Sequence, residues 1–101
     1  MPRAEEKAIL DQVQLTDALM ELPGWEVKSK QIVKTYEFKT YMDGVEFVGE
    51  LARKADQLDH HPDMLLGYRK VRVATWTHKY SAVTKLDVML AKEAEKIFEG
   101  R

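Results

Sequence analysis

Two hydrophobic rhythms run along the chain. Over 43–59, "DGVEFVGELARKADQLD", Val45, Val48, Leu51, Ala52, Ala55 and Leu58 recur at helical spacing and share one side. Asp43 and Glu46 stand at capping-box spacing, which sets the expected helix start at Asp43. Pro62 disfavours helical geometry at His61, so the expected end is Asp59 or His60. A second helix opens at Thr84, with Asp87 as a partial capping box, and buries Leu86, Leu90, Ala94 and Ile97. A third lies near the start. Thr16 is read as its N-cap, with Asp17 in the first turn, Leu19 and Leu22 inward, and Pro23-Gly24 as the stop.

Between these helices the period falls to two. "WEVKSKQIVKTYEF", 25–38, reads as a hairpin turning near Ser29 to Gln31. "MLLGYRKVRVATWTH", 64–78, reads as another, turning near Arg69 and Lys70. In its last strand Val71, Val73, Thr75 and Thr77 share one face, while Arg72, Ala74, Trp76 and His78 share the other. The order α-β-β-α-β-β-α predicts an α+β two-layer sandwich, a four-stranded antiparallel sheet with the helices on one face. Its other face stays uncovered in a single copy, so Trp76 and the edge strands predict self-association. Residues 1–101 are read as one domain, with a core over 15–98 and an N-terminal extension or extra helical turn over 1–14.

Composition narrows the function. A 45% hydrophobic share supports a packed core in 101 residues. Sixteen basic against 17 acidic residues leave no basic footprint for direct nucleic-acid binding. With no cysteine, disulfides, thiolate chemistry and cysteine zinc sites are excluded. The opening "MPRAEEKAIL" lacks an apolar signal core and no apolar run approaches a membrane span, so the expected location is the cytoplasm.

The chain has three histidines: His60 and His61 in "LDHHPDM", and His78 in "ATWTHKYSA". Singly, such residues cap or decorate a surface, and His60 near a helix C-terminus suits the dipole there. As a set, three imidazoles can hold zinc with an open position. Against that, neighbours on an extended chain point apart, and no carboxylate stands at HExxH spacing. Proton transfer needs less, because imidazole titrates near neutrality. Asp56, four residues before His60, would share its helical face and orient it. A helix packed across the sheet brings its end toward the end of the last strand, where the three rings converge.

The stretch "ADQLDHHPDMLLGYRKVRVATWTH…TKLD" resembles the signature of pterin-4a-carbinolamine dehydratases. The matching positions are Asp56, His60, His61, Pro62, Tyr68, His78 and Asp87. "PGWE" and "YEFKTYMDGVEFV" are also similar to that family's earlier segments. The resemblance implies loss of water from a 4a-hydroxytetrahydropterin, giving the quinonoid dihydropterin and so recycling the pterin cofactor of aromatic amino acid hydroxylases. It implies His60, His61 and His78 as catalytic residues, with His61 and His78 as the proton-transfer pair and His60 positioning substrate. Asp59, His60, His61, Trp76, Thr77 and His78 match the segments that hold the pterin, and Asp56 and Asp87 support them. No metal or cofactor is implied. The assembly implied is a homodimer or homotetramer. Two positions depart from the pattern: Asp56 where glutamate is frequent, and Trp76 where better-known members carry a small polar residue. The alternative is a non-catalytic partner-binding, assembly or coactivator module, docking through the surface of the helix over 43–59.

Overall fold

Seven elements follow in the expected order: α1 (Gln12–Met20), β1 (Glu26–Lys28), β2 (Gln31–Glu37), α2 (Tyr41–Leu58), β3 (Asp63–Leu66), β4 (Lys70–Thr75) and α3 (Lys85–Glu99). The structure is a computed structural model and describes residues 8–101. The strands form one antiparallel sheet in the order β1-β2-β4-β3. β2 pairs with β4 from Ile32–Thr75 to Glu37–Lys70, and β3 with β4 from Asp63–Ala74 to Leu66–Val71.

Alternation along these strands sorts the two faces. Ile32, Tyr36, Val71 and Val73 are buried against the helices, as the period-two pattern requires. α2 supplies Phe47, Leu51 and Ala55 to the same core, and α3 supplies Leu90, Ala91 and Ala94. Fully burying a side chain such as Phe47 or Leu51 contributes roughly 1.5–3 kcal/mol. Tyr36 ties the layers together, its ring centroid 4.9 Å from those of both Phe47 and Phe98. The opposite sheet face carries Leu65, 69% exposed, across from Arg72.

The helix starts differ from expectation. The N-cap of α1 is Asp11, not Thr16: Asp11 Oδ1 accepts from Gln14 N at 2.8 Å, and Gln14 Oε1 accepts from Asp11 N at 3.0 Å. Thr16 sits inside the helix and donates to Gln12 O. The N-cap of α2 is Thr40, which places Asp43 at the third helical position rather than at the cap. Glu46 pairs with Arg101 at 2.7 Å instead of closing a capping box. The buried stripe of α2 is Gly44, Phe47, Leu51 and Ala55, so Phe47 joins it and Ala52 faces solvent. At the C-terminal helix the Thr84–Asp87 capping box is complete.

Residues 1–7 of the stretch read as an extension lie outside the described residues. Beyond them, Ile9 bridges to Thr84 and Leu10 N donates to Val83 O at 3.1 Å. No helix among the described residues is long and apolar enough to cross a membrane.

Candidate active site

Register brings two distant stretches together. Asp63, the first residue of β3, pairs with Ala74 near the end of β4. The His60–His61–Pro62 corner therefore lies beside the residues that follow Ala74. α2 stops at Leu58 because Asp59 adopts the left-handed conformation, φ 53°, and its N–H returns to Ala55 O and Asp56 O. Asp and Asn are the non-glycine residues that best tolerate this geometry. The turn sends the two histidines to opposite sides.

His60 goes inward. It is 8% exposed, and its Nε2 lies 2.5 Å from Asp87 Oδ1. Asp87 is fully buried in the first turn of α3, where the helix dipole favours a carboxylate. Thr75 Oγ1 donates to Asp87 Oδ1 at 2.6 Å, Thr77 Oγ1 to Oδ2 at 2.9 Å, and Thr84 N to Oδ2 at 2.8 Å. The Thr77 and Thr84 hydroxyls are 2.7 Å apart. Four buried polar residues from β4, its following loop and α3 thus satisfy one another and the ring of His60.

His61 goes outward. Its Nε2 lies 3.1 Å from Asp56 Oδ1, with both side chains well exposed. Asp56 was expected beneath His60. The left-handed turn at Asp59 withdraws His60 and leaves Asp56 facing His61, within reach despite its short side chain.

His78 was expected on the last strand, but β4 ends at Thr75. Thr77 N donates to Ala82 O at 2.8 Å and Ser81 N to His78 O at 3.2 Å, which makes His78–Ser81 a tight turn. His78 is exposed, and its ring stacks on that of Trp76 with centroids 4.4 Å apart and planes 17° from parallel. Each imidazole therefore has its own partner: a buried carboxylate, an exposed carboxylate and an indole. No hydrogen bond joins one histidine ring to another among the described residues.

Of the other expected contacts, Asp59 is exposed at the corner, and Thr77 is buried with its hydroxyl engaged on two sides. Thr75 and Thr84 were not read as part of a site. A signal existed: Thr75 and Thr77 alternate with Val71 and Val73, and hydroxyls at core positions need partners. Among the described residues no three or more His, Cys, Asp or Glu side chains cluster to hold a metal ion. A groove of about 710 Å³, lined by Phe38, Asp43, Glu50, Ile97 and Arg101 among others, holds none of the three histidines. A smaller cleft of about 310 Å³ opens beside Trp76, with Ser29, Lys30, Gln31 and Ser81.

Fold and site define a class: a two-layer α+β protein with a histidine–aspartate pair where two hairpin ends meet. A family model described as pterin 4 alpha carbinolamine dehydratase matches residues 8–97. The chain is 38% identical over 88 residues to a Sulfolobus acidocaldarius protein provisionally named pterin-4-alpha-carbinolamine dehydratase, covering 87% of this chain and 97% of that one. A Mycolicibacterium smegmatis protein of the same provisional name is 37% identical over 90 residues, covering 89% and 96%. The chain belongs to the pterin-4-alpha-carbinolamine dehydratase family. Among solved structures, a transcriptional coactivator/pterin dehydratase from Brucella melitensis superposes with a TM-score of 0.86 at 30% identity, covering 89% of this chain and 98% of that one. A pterin dehydratase-like RuBisCO assembly factor of the alpha-carboxysome, 16% identical with a TM-score of 0.61 over 73% of this chain and 86% of that one, shares the fold alone.

Proposed function

We propose that the protein dehydrates 4a-hydroxytetrahydropterin to quinonoid dihydropterin and water, by acid–base chemistry at His60, His61 and His78. The observation that carries this reading is the bond from His60 to Asp87. It draws the corner before β3 to Thr75 and to Thr77, the residue before His78. The reaction removes the N5 proton and protonates the departing C4a hydroxyl. The electrons of the N5–H bond form C4a=N5, the C4a–O bond breaks, and the oxygen leaves as water. Each positioned proton transfer is worth about 10²–10⁴-fold. Asp59, Trp76 and Thr77 flank the three rings in sequence and would frame the flat substrate. Asp56 orients His61, and Asp87 orients His60. The product role is recycling of a pterin cofactor, and the active form is a homo-oligomer.

A stopped-flow assay with freshly generated 4a-hydroxypterin tests the reading. Wild type should accelerate dehydration, while His61→Ala and His78→Ala should each lose about 10²-fold or more. Full activity in both variants would remove the histidine assignment. The Brucella melitensis relative, described as a coactivator as well as a dehydratase, supports a second reading as a partner-binding module. A wild type with no effect on dehydration would bring that reading forward, with the exposed side of α2 as the docking surface.

A further inference from the structure

We infer that Thr75, Thr77 and Thr84 are positioning residues that act through Asp87. They hold His60 with its proton on Nε2 and leave Nδ1 as the nitrogen that takes the N5 proton. The use of Nδ1 rests on the dehydratase reading, whereas the tautomer rests on hydrogen-bond geometry and the greater acidity of a carboxyl.

A hydroxyl has one proton to give. Thr77 gives its proton to Asp87 Oδ2, so in the 2.7 Å contact with Thr84 it is the Thr84 hydroxyl that donates. Thr84 Oγ1 in turn accepts from Leu86 N at 3.2 Å. Asp87 Oδ2 also accepts from Thr84 N, and Oδ1 accepts from Thr75. With His60, four groups point at the four lone-pair positions of one carboxylate. Three of them are fixed as donors, and because a carboxyl is a stronger acid than an imidazolium the fourth position is a lone pair rather than an O–H. His60 Nε2 must therefore be the fourth donor, which leaves the lone pair of the neutral ring on Nδ1.

Among the described residues no buried side-chain nitrogen lacks a partner. His60 Nδ1 has none among the described residues, so part of it reaches the molecular surface. An imidazole with a carboxylate behind it and a lone pair in front is arranged as a base. When it accepts the N5 proton, the resulting imidazolium keeps its second N–H on Asp87. The exposed His61 and His78 are left to protonate the leaving hydroxyl. This gives His60 the base role among the three histidines, where the family resemblance implies substrate positioning.

Long-range ¹H–¹⁵N NMR on the full chain without substrate reads each ring's tautomer, and the spectrum of His60→Gln identifies the His60 signals. Wild type should show an Nε2-protonated His60 at a pH where the ring is neutral. Asp87→Asn can turn an amide N–H toward Nε2. It should move the proton to Nδ1 and lower kcat about a hundred-fold or more. Thr75→Val should keep the tautomer, lower kcat about ten-fold and leave KM unchanged, with Thr75→Ser restoring kcat. An Nδ1-protonated His60 in wild type overturns the assignment, as does wild-type kcat in Asp87→Asn. Wild-type kcat in Thr75→Val removes Thr75 from it. An Nε2-protonated ring in a protein that does not accelerate dehydration keeps the hydroxyl network and removes the dehydratase reading, the base role with it.

Discussion

The indole of Trp76 lies nearly flat on the imidazole of His78, 4.4 Å between centroids and 17° between planes. The contact exists because Trp76 and His78 flank Thr77, whose bridge to Ala82 keeps the backbone extended there, so residues two apart fall on one side. One face of the His78 ring is thereby taken, and a planar ligand can stack only on the other. Trp76→Ser should release the ring and lower kcat for dehydration by about three- to ten-fold, the scale of one aromatic stack. Steady-state rates at saturating substrate check this. An unchanged or raised kcat would mean that the stack does not serve His78.

The strand faces were legible because period-two alternation maps directly onto the pleat. Val71, Val73, Thr75 and Thr77 fall on the buried side where the pattern puts them. Cap choice was not legible to the residue. Thr40 and Asp43 are both good caps, and the choice depends on where the chain leaves β2. There Phe38 N is held by Arg69 O at 2.8 Å. The partner of Asp56 was missed because a left-handed aspartate is a minority conformation that residue type does not announce. The site itself was half legible. Its histidines stood out by residue type and Asp87 through the family resemblance, but the bonds from Thr75, Thr77 and Thr84 to Asp87 join separate elements, which local pattern does not encode.

Two carboxylate–histidine pairs in one site should differ sharply in their worth to the fold. Asp87→Ala strands the buried donors of His60, Thr75 and Thr77. It should cost about 3–5 kcal/mol, the scale for breaking a buried pair. Asp56→Ala removes an exposed partner of His61 and should stay within about 0.5 kcal/mol. Urea denaturation of both variants measures the contrast. Equal losses would contradict the burial argument.

Self-association should run through the β3 side of the sheet. β3 is an edge strand of four residues, "DMLL"; Leu65 on it is 69% exposed, and Tyr68 in the turn that follows is exposed too. An unprotected apolar edge of this kind favours pairing with another chain. Leu65→Glu should shift sedimentation toward the monomer while the far-ultraviolet circular dichroism stays that of the wild type. Wild-type sedimentation in the variant would place the contact elsewhere.

Alkaline pH should expose the role of Tyr36. Its hydroxyl donates to Glu95 Oε2, which also accepts from Lys34 Nζ at 2.9 Å. Burial first, then the bond to Glu95 and its negative charge, push the Tyr36 phenol well above its ordinary value of 10.0. The folded chain therefore keeps a proton that the unfolded chain releases above pH 10. The stability tied to that proton is complete below pH 10 and drains away as pH climbs further. At pH 7, Tyr36→Phe should be less stable by about 1.5–3 kcal/mol, the scale of a hydrogen bond to a charged group. Above pH 10 the gap should close by up to about 1.4 kcal/mol per pH unit, because only wild type carries this phenol. Urea midpoints from pH 7 to pH 11 supply the test, and a gap that stays constant with pH would show that the fold does not withhold the Tyr36 proton.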